Sequence, residues 1–407
     1  MALEIRAIKN GEKNAFKRLA QRSLLLPPHI AAAAVDGISE DRTLCAFENR
    51  QLTTTYGWWP LNMRLNGTHC PVAGITFVST SPVHRRRGYL RQITARHFEM
   101  LHETGERPIA ALHASLAGIY HRYGYAVVSS QQSYSFAPRH LDFVHPPGKD
   151  PAGAGILKEI GDYDRAVLKD LYQRFCRDRT GYIHRGKATW EAGVLAPPPE
   201  NGERIQIVHE EEGVPSGYVV YTASPAKAEN GRLRQQIDIR ELVWLNARAC
   251  LSLWQYFASM DLAEVIRCQR MPTDDPLPHL VSEPRELQIT SRDGIMARLV
   301  DVREAMGRRC YDADGAICFE LEDPMCEWNR GTWAFEASAG GASKIEESRR
   351  QPDLRLPVDT LAMLFFGRIS ASQAAAMGRL AVYKPEALPV WDRLFQTRHQ
   401  PFCPDLF

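Results

Sequence analysis

The alternation of apolar and polar positions lays out a mixed chain of strands and helices. Leu3 to Ile8 alternates like a half-buried strand, and Gly11 to Arg22 follows with Ala15, Phe16, Leu19 and Ala20 on one helical side. Leu24–Leu26 and Pro27–Pro28 end that helix, since consecutive prolines cannot continue it, and Ile30 to Ala34 reads as a short second helix. Thr43 to Glu48 and Gln51 to Trp58 read as strands turning at Glu48–Arg50, and Arg64 to Cys70 as a turn through Asn66–Gly67. Val72 to Thr80 is the next strand, broken by Ser81–Pro82. A helix starts near Gly88, carries Leu90, Ile93, Phe98 and Leu101 on one face, and closes at Gly105. Pro108 to His113 is a short apolar strand, Leu116 to Arg122 a short helix, and Ala126 to Phe136 a long strand.

His145 to Gly155 (HPPGKDPAGAG) is the best linker in the chain. Beyond it, Tyr163 to Cys176 is helical in pattern, Ile205 to Val208 and Gly217 to Thr222 are strands, and Ile237 to Leu245 is a strand feeding a helix from Ala247 to Met260. Leu262 to Arg267 is a further strand, and prolines at 272, 276, 278 and 284 close this segment. A third segment starts near Asp293 with a strand from Ile295 to Val302 and a helix from Val302 to Arg309. Strands at Ala316–Leu321 and Thr332–Ala337 follow, then short helices at Leu361–Phe366 and Ala371–Met377. The chain ends RLFQTRHQPFCPDLF, apolar to its last residue, whereas most termini are polar and frayed; this tail asks to be buried.

Composition narrows the class. With 407 residues the chain is too long for one core, and 44% hydrophobic with 24% charged residues is the balance of a soluble globular protein. A net charge of +2 gives no global field for nucleic acid or a membrane surface. Nine scattered cysteines without a CxxC pair fit free thiols in a reducing compartment better than disulfides or a metal site. No run reaches the ~18 apolar residues of a spanning helix, so the expected location is cytoplasmic, with no metal, no nucleic acid and no membrane among its partners.

The chemistry concentrates between Gly74 and Tyr125. Val78, Ser79 and Thr80 end a strand whose edge can pair with an extended, amide-bearing arm. Arg85–Arg86–Arg87–Gly88 then leads into a helix N-terminus, where backbone N–H groups, the helix dipole and the arginines together suit a pyrophosphate. Alone, HRRRG reads first as a solvated basic turn or a nucleic-acid contact. The flanking strand and amphipathic helix favour the phosphate. In IYHRYGY, a phenol at Tyr120 can protonate a departing thiolate, both acids titrating at ~8.5–10; Tyr125 reads as sheet packing.

These residues resemble the GNAT acetyltransferase superfamily, and more specifically the Eis-like (enhanced intracellular survival) family. The resemblance rests on Pro82–Gly88 and Ser115–Tyr125, on DGIMARLVDV at 293–302, on the Asp323–Asn329 run and on the terminal RLF…PFCPDLF, in one order over nearly the whole chain. It implies an α+β, α/β-like protein of two tandem GNAT-like domains, mixed sheets flanked by helices, with the second degenerate, and a sterol-carrier-protein-2-like domain. The divisions expected are 1–145, 146–290 and 291–407. The junction LNARACLSL at 245–253 lacks a glycine and is poor in arginine, in keeping with a middle domain without a pyrophosphate cradle.

The resemblance further implies an acetyl-CoA-dependent N-acetyltransferase acting on a primary amine of a small molecule or a lysine. Tyr120 would be the acid and the C-terminal carboxylate of Phe407 the base. The acetyl-CoA set would be Val78, Ser79, Thr80, Arg86, Arg87, Gly88, Tyr89, Leu90, Arg91, Ser115 and Leu116, and the assembly a homo-oligomer, a hexamer. A carboxylate of pKa ~3.3–3.7 cannot strip an ammonium near ~10.4 unless burial raises its pKa or a water relays the proton; the reading preferred is that it orients the amine and collects its proton as the tetrahedral intermediate forms. Phe407 also reads as a plug fixing the third segment. His113, where relatives often carry Trp, reads as a core histidine or as a base. No acid lies between Lys13 and Val35 and the penultimate residue is Leu406, leaving Asp36 and Asp405 as candidate amine-binding acids and Tyr56, Trp58 and Trp59 as an aromatic wall, with core packing the alternative use for at least one of the three. That composition leans toward an acceptor less charged than an aminoglycoside. The alternative is a non-catalytic acyl-CoA- or lipid-binding scaffold.

Overall fold

The computed structural model describes residues 3–24, 35–145, 155–161, 164–228 and 231–407. Pro27–Pro28, the helix expected at Ile30–Ala34, Tyr163 and nearly all of the linker lie outside the described residues. The chain divides into two compact units: Met1–Ser129 with Ile295–Thr397 and Phe407, and Ser130–Gly294 with Arg398–Leu406.

Unit 1 begins with β1 (Leu3–Arg6), β2 (Cys45–Glu48), β3 (Gln51–Leu65), β4 (Thr68–Thr80), β5 (Ile109–Leu112) and β6 (Ala126–Val127). The long hairpin β3–β4 turns on Asn66 (φ 50) and Gly67 (φ 109), the positive-φ pair that matches strand twist. Both strands run further than their apolar pattern indicates, through Pro60 and Pro71. At Pro60 the other edge of β3 is already past its pairing with β2, and at Pro71 the other edge of β4 precedes its pairing with β5, so the missing N–H groups interrupt no second ladder.

Unit 2 holds β7 (Ser130–Phe136), β8 (Ile156–Glu159), β9 (Glu203–Glu211), β10 (Val214–Lys227), β11 (Leu233–Trp244), β12 (Ala263–Pro272) and β13 (Thr290–Asp293). Unit 1 resumes with β14 (Met296–Leu299), then β15 (Gly315–Glu322), β16 (Gly331–Ala337), β17 (Ser343–Glu347), β18 (Leu354–Pro357) and β19 (Ala381–Val382). The first sheet has the order β1-β2-β3-β4-β5-β14-β6 and the second β8-β9-β10-β11-β12-β7-β13, position for position the same, with parallel pairs at β4/β5 and β11/β12. The expected single strand Ala126–Phe136 is therefore two strands in two sheets. Between them Val128 N–H donates to Ile295 O (3.0 Å) and Ser129 Oγ accepts from Ile295 N–H (2.9 Å), which ends one ladder before the next begins. The strand expected at Ile295–Val302 is shorter; Asp301 Oδ1 accepts from Glu304 N–H and caps the helix Val302–Gly307.

On one face of the first sheet, the helix Tyr89–Thr104 packs Tyr89, Ile93, Phe98 and Leu101 against Tyr56, Ala73, Ile75 and Leu112. On the other, Phe16 and Ala20 of Lys13–Leu24 join Phe47 and Phe77, with Phe16 edge-on to Phe77 at 5.8 Å. The third sheet, β17-β16-β15-β18-β19, is filled by aromatic rings. Phe319 meets Trp391 at 5.3 Å, and Trp391 stacks on Phe395 at 4.9 Å. Both Trp391 and Phe395 come from the helix Ala387–Phe395, which Pro389 near its start conceals in the sequence; there proline forfeits only an N–H that a helix start leaves unused. All nine cysteines are free thiols. Among the described residues no helix is long and apolar enough to cross a membrane, and no His, Cys, Asp and Glu cluster could hold a metal ion.

Candidate active site

The site starts where two parallel strands part. β4 pairs with β5 from Val72↔Ile109 to Ile75↔Leu112; β5 then ends, while β4 runs on to Thr80. Val78, Ser79 and Thr80 thus extend past their neighbour, held on the opposite edge by Thr55↔Ser79 and Thr54↔Thr80. A bulge at Thr55–Gly57 bends the strand just before this extension. It places Phe77 at φ 52, a left-handed conformation that a bulky side chain rarely adopts. The Thr55 hydroxyl lies 2.7 Å from Phe77 O and 2.6 Å from Ser79 Oγ, fixing the bulge.

The chain then turns through Pro82–His84, with Arg86 at φ 64 and Gly88 at φ 79, into the helix Tyr89–Thr104. Gly88 is its N-cap and supplies no side-chain oxygen, and no acid stands in the first turn. The N–H groups that every helix start leaves over are therefore open to an anion. Arg85, Arg86, Arg87, Gly88 and Arg91 are exposed. Glu48 steadies the turn from the side, accepting from Arg87 Nη1 (2.9 Å) and lying 3.3 Å from His84 Nε2.

The equivalent junction of the second sheet is closed. The helix Ala247–Ala258 is capped by Asn246, whose Oδ1 accepts from Ala249 N–H at 2.8 Å. Glu211 sits beside it, bonded to Asn246 Nδ2 (2.8 Å) and Arg248 Nη1 (3.1 Å). The Asn246 amide holds the Glu211 carboxyl below its ordinary range. A negative charge and a side-chain cap already occupy the place an anion would take.

Ser115 and Leu116 follow β5 in an exposed stretch, and Leu116 caps the helix Ala117–His121 that carries Tyr120. Tyr120, Val78 and Leu90 pack on the same apolar cluster. The Tyr120 ring lies 5.9 Å from that of Tyr125, which is fully buried packing. Burial, with a smaller contribution from Tyr123, pushes the Tyr120 phenol up to about 12, so it is protonated at neutral pH.

Phe407 belongs to unit 1, and its ring lies on the backbone of β4: a Cβ on Gly74 would stand 2.9 Å from Phe407 Cδ2. The His113 ring is 5.0 Å from that of Phe407. Gly74 pairs with Trp59 and Ala111, so strand alternation puts Trp59, Leu61, Ala111 and His113 on Phe407's face of the sheet. Tyr56 and Trp58 lie on the other face, with the helix Tyr89–Thr104. The three aromatics therefore do not form one wall.

The remaining candidate acids are both engaged. Asp36 Oδ2 is 3.7 Å from Lys17 Nζ. Asp405 is buried in unit 2 and accepts from Arg185 Nε at 2.8 Å, and Arg185 in turn grips Glu241. Burial pushes the Asp405 carboxyl up against the pull of Arg185. Sequence reasoning missed His97, buried beside the Tyr56 hydroxyl (2.9 Å to Nδ1) and held neutral by burial, its value down to about 3. Its signal was available, one polar residue four places after Ile93 on the apolar face. Arg298, wholly buried on β14, carried none.

The family model "Acetyltransferase (GNAT) domain" matches residues 4–128, a second model of that description matches 181–299, and "Sterol carrier protein domain" matches 302–404. The chain is similar to an uncharacterized N-acetyltransferase of Streptomyces avermitilis, 28% identical over 372 residues, covering 90% of each chain. It is 29% identical over 335 residues to the N-acetyltransferase Eis of Mycobacterium tuberculosis, covering 80% of this chain and 78% of the other. Among solved structures, Eis1 from Mycobacterium abscessus superposes with a TM-score of 0.82 at 25% identity, covering 99% of this chain and 100% of the other.

Proposed function

Because this chain belongs to the Eis-like GNAT acetyltransferases, with two GNAT domains followed by a sterol carrier protein domain, and is therefore an acyltransferase, we propose that it transfers the acetyl group of acetyl-CoA to a primary amine of a small molecule of low charge. The reading takes the functional divisions as 1–145, 146–290 and 291–407 and the working form as a homo-oligomer, a hexamer. The observation that carries it is the parting of β4 from β5 after Ile75 and Leu112, next to a helix start without cap or acid.

In this reading the pantetheine amides pair with the free edge at Val78, Ser79 and Thr80. The pyrophosphate lies on Arg86, Arg87 and Gly88 and the N–H groups of Tyr89, Leu90 and Arg91, and Ser115 and Leu116 border the thioester end. The amine attacks the thioester carbonyl directly: a C–N bond forms, then the C–S bond breaks and a thiolate leaves. Tyr120 donates a hydrogen bond to that sulfur. A phenol pushed up to about 12 by burial does not give its proton outright to a thiolate of pKa ~8.5. That hydrogen bond stabilises the thiolate as it leaves and the phenol keeps its proton, while the Phe407 carboxylate orients the amine and receives the proton that the nitrogen of the intermediate loses.

Low charge in the acceptor is supported by Asp36 and Asp405 both being engaged by cations. Trp59, Leu61, His113 and Phe407 share one face with no carboxylate side chain among them. A thiol-release assay with acetyl-CoA against aminoglycosides, polyamines, lysine peptides and arylalkylamines tests the reading, using the intact chain and a variant lacking Leu406 and Phe407. We expect monoamines to outpace polycations, and the deletion to cut turnover at least 100-fold with acetyl-CoA binding retained. A preference for polycations would overturn the acceptor class. Full activity in the deletion would remove Phe407 from the mechanism. Acetyl-CoA binding without turnover of any amine would favour the scaffold.

A further inference from the structure

Two sequence blocks, 293–302 and Asp323–Asn329, hold no residue assigned a role in acetyl transfer above, yet within unit 1 they converge on one buried cation. Arg298 lies on β14 with its side chain wholly buried. Its Nη1 donates to Tyr123 O at 2.6 Å. Its Nη2 donates to the Asp323 carboxylate and lies 2.9 Å from Cys326 Sγ. The guanidinium carbon stands 4.5 Å from the centre of the Phe98 ring. Asp323 is itself fixed: Oδ1 accepts from Met325 N–H (3.0 Å) and Cys326 N–H (3.1 Å), and Oδ2 accepts from Asn329 Nδ2 (2.9 Å). Asn329 Nδ2 also donates to Val300 O at 3.0 Å, tying the loop to the end of β14.

A fully buried ion pair costs several kcal/mol per ion to desolvate, and a well-packed apolar pair of similar volume is often as stable. The arrangement therefore calls for a use beyond stability. Tyr123 O belongs to the turn that follows Tyr120, in which Tyr123 N–H donates to Tyr120 O (2.9 Å) and Gly124 N–H to His121 O (3.0 Å). Gly124 has φ +80, and a Cβ there would stand 2.6 Å from Arg298 Nη1, so the guanidinium fills the space a side chain would need.

We propose that Arg298 is a positioning residue for Tyr120: clamped by the Asp323–Asn329 loop, it holds the carbonyl of Tyr123 and so sets where the Tyr120 phenol stands. The sterol-carrier segment thereby takes part in acetyl transfer through this buried clamp. The inference rests on the reading of Tyr120 as the donor to the thiolate. Arg298→Lys keeps a charge beside Asp323 but loses the fork that reaches Tyr123 O. The expected result is a fall in kcat of about tenfold, with the KM for acetyl-CoA within twofold. In a Tyr120→Phe background the same change should cause no further loss. An equal loss in both backgrounds would reduce Arg298 to a structural ion pair and overturn the proposal. Should the lysine variant not fold, Cys326→Ser, which keeps the size and an acceptor beside Nη2, makes the same comparison, with a two- to threefold loss expected only where Tyr120 is intact. If Tyr120→Phe alone leaves kcat unchanged, the acid assignment fails by itself and the positioning role falls with it. A loss in Tyr120→Phe but none in Arg298→Lys refutes the positioning role alone.

Discussion

The ring of Phe407 rests on Gly74, where a Cβ would come within 2.9 Å of Phe407 Cδ2 and 2.4 Å of Leu61 Cδ1. Gly74 is not in a left-handed conformation, so the constraint is space alone. Gly74→Ala should displace both side chains at an overpacking cost of about 1–3 kcal/mol. The terminal carboxylate would move with the ring. We expect kcat to fall at least tenfold while acetyl-CoA affinity, set farther along β4, stays within twofold. Steady-state kinetics with calorimetric binding checks this. Unchanged kcat in a folded variant would mean that the ring, and with it the carboxylate, has no fixed seat that matters.

Gly88 separates the open helix start from the closed one. Gly88→Asp introduces a carboxylate where the second sheet already carries Glu211 and Asn246. Aspartate pays roughly 1 kcal/mol for left-handed backbone but gains up to about 1 kcal/mol from the helix dipole. Thermal stability should change little. The KM for acetyl-CoA should rise more than tenfold, because the new charge opposes the pyrophosphate. A KM within twofold of the original would place the pyrophosphate elsewhere.

Residue types alone separated these two junctions, since one carries a glycine with arginines and the other lacks the glycine and is poor in arginine; the Asn246 cap and the Glu211 beside it are seen only in the fold. The exchange of strands was not legible in the same way. Ala126–Phe136 is one uninterrupted β-prone stretch, and only the pairing of Val128 and Ser129 with Ile295 divides it between two sheets. Period-2 alternation gives a strand's faces but not its neighbours. The grouping of Tyr56, Trp58 and Trp59 fails on what alternation does carry, since it sends Trp59 to the face opposite Tyr56 and Trp58. Arg298 was invisible because a lone arginine in MARL reads as a solvated residue until Asp323 and Tyr123 O are seen around it.

The Tyr120 phenol, raised to about 12 by burial and by Tyr123, should leave a distinct pH profile. A proton donor with that value stays protonated through pH 10. From pH 6 to pH 10, kcat/KM should therefore rise as the amine loses its proton and then level off, without a falling limb. Tyr120→Phe should lower the plateau and leave the rising limb in place. A descending limb between pH 8.5 and 10 that disappears in Tyr120→Phe would show a phenol of ordinary acidity and a proton passed directly to the thiolate.

Asp275, in unit 2, sets a second pH dependence, one of stability. Its Oδ1 accepts from Leu277 N–H at 3.0 Å and faces the Tyr134 hydroxyl at 3.4 Å, and its Oδ2 is buried without a partner. Burial pushes the carboxyl up to about 7 against those two donors, with Asp274 raising it further and Arg179 lowering it; the Cys250 and Cys268 thiols are also near. The unfolded chain releases this proton near ~3.9. Between that value and about 7 the folded chain holds a proton that the unfolded chain has lost. The group's contribution is therefore complete below the window and declines across it by about 1.4 kcal/mol per pH unit. Asp275→Asn removes the proton and the decline. The difference in Tm between pH 5 and pH 7 should shrink in the variant relative to the parent, and at pH 8 the variant should melt at or above the parent. Parallel Tm–pH curves would mean that Asp275 is ionised in the folded chain, and that the charge its burial disfavours is met by a cation brought closer than Arg179 now stands.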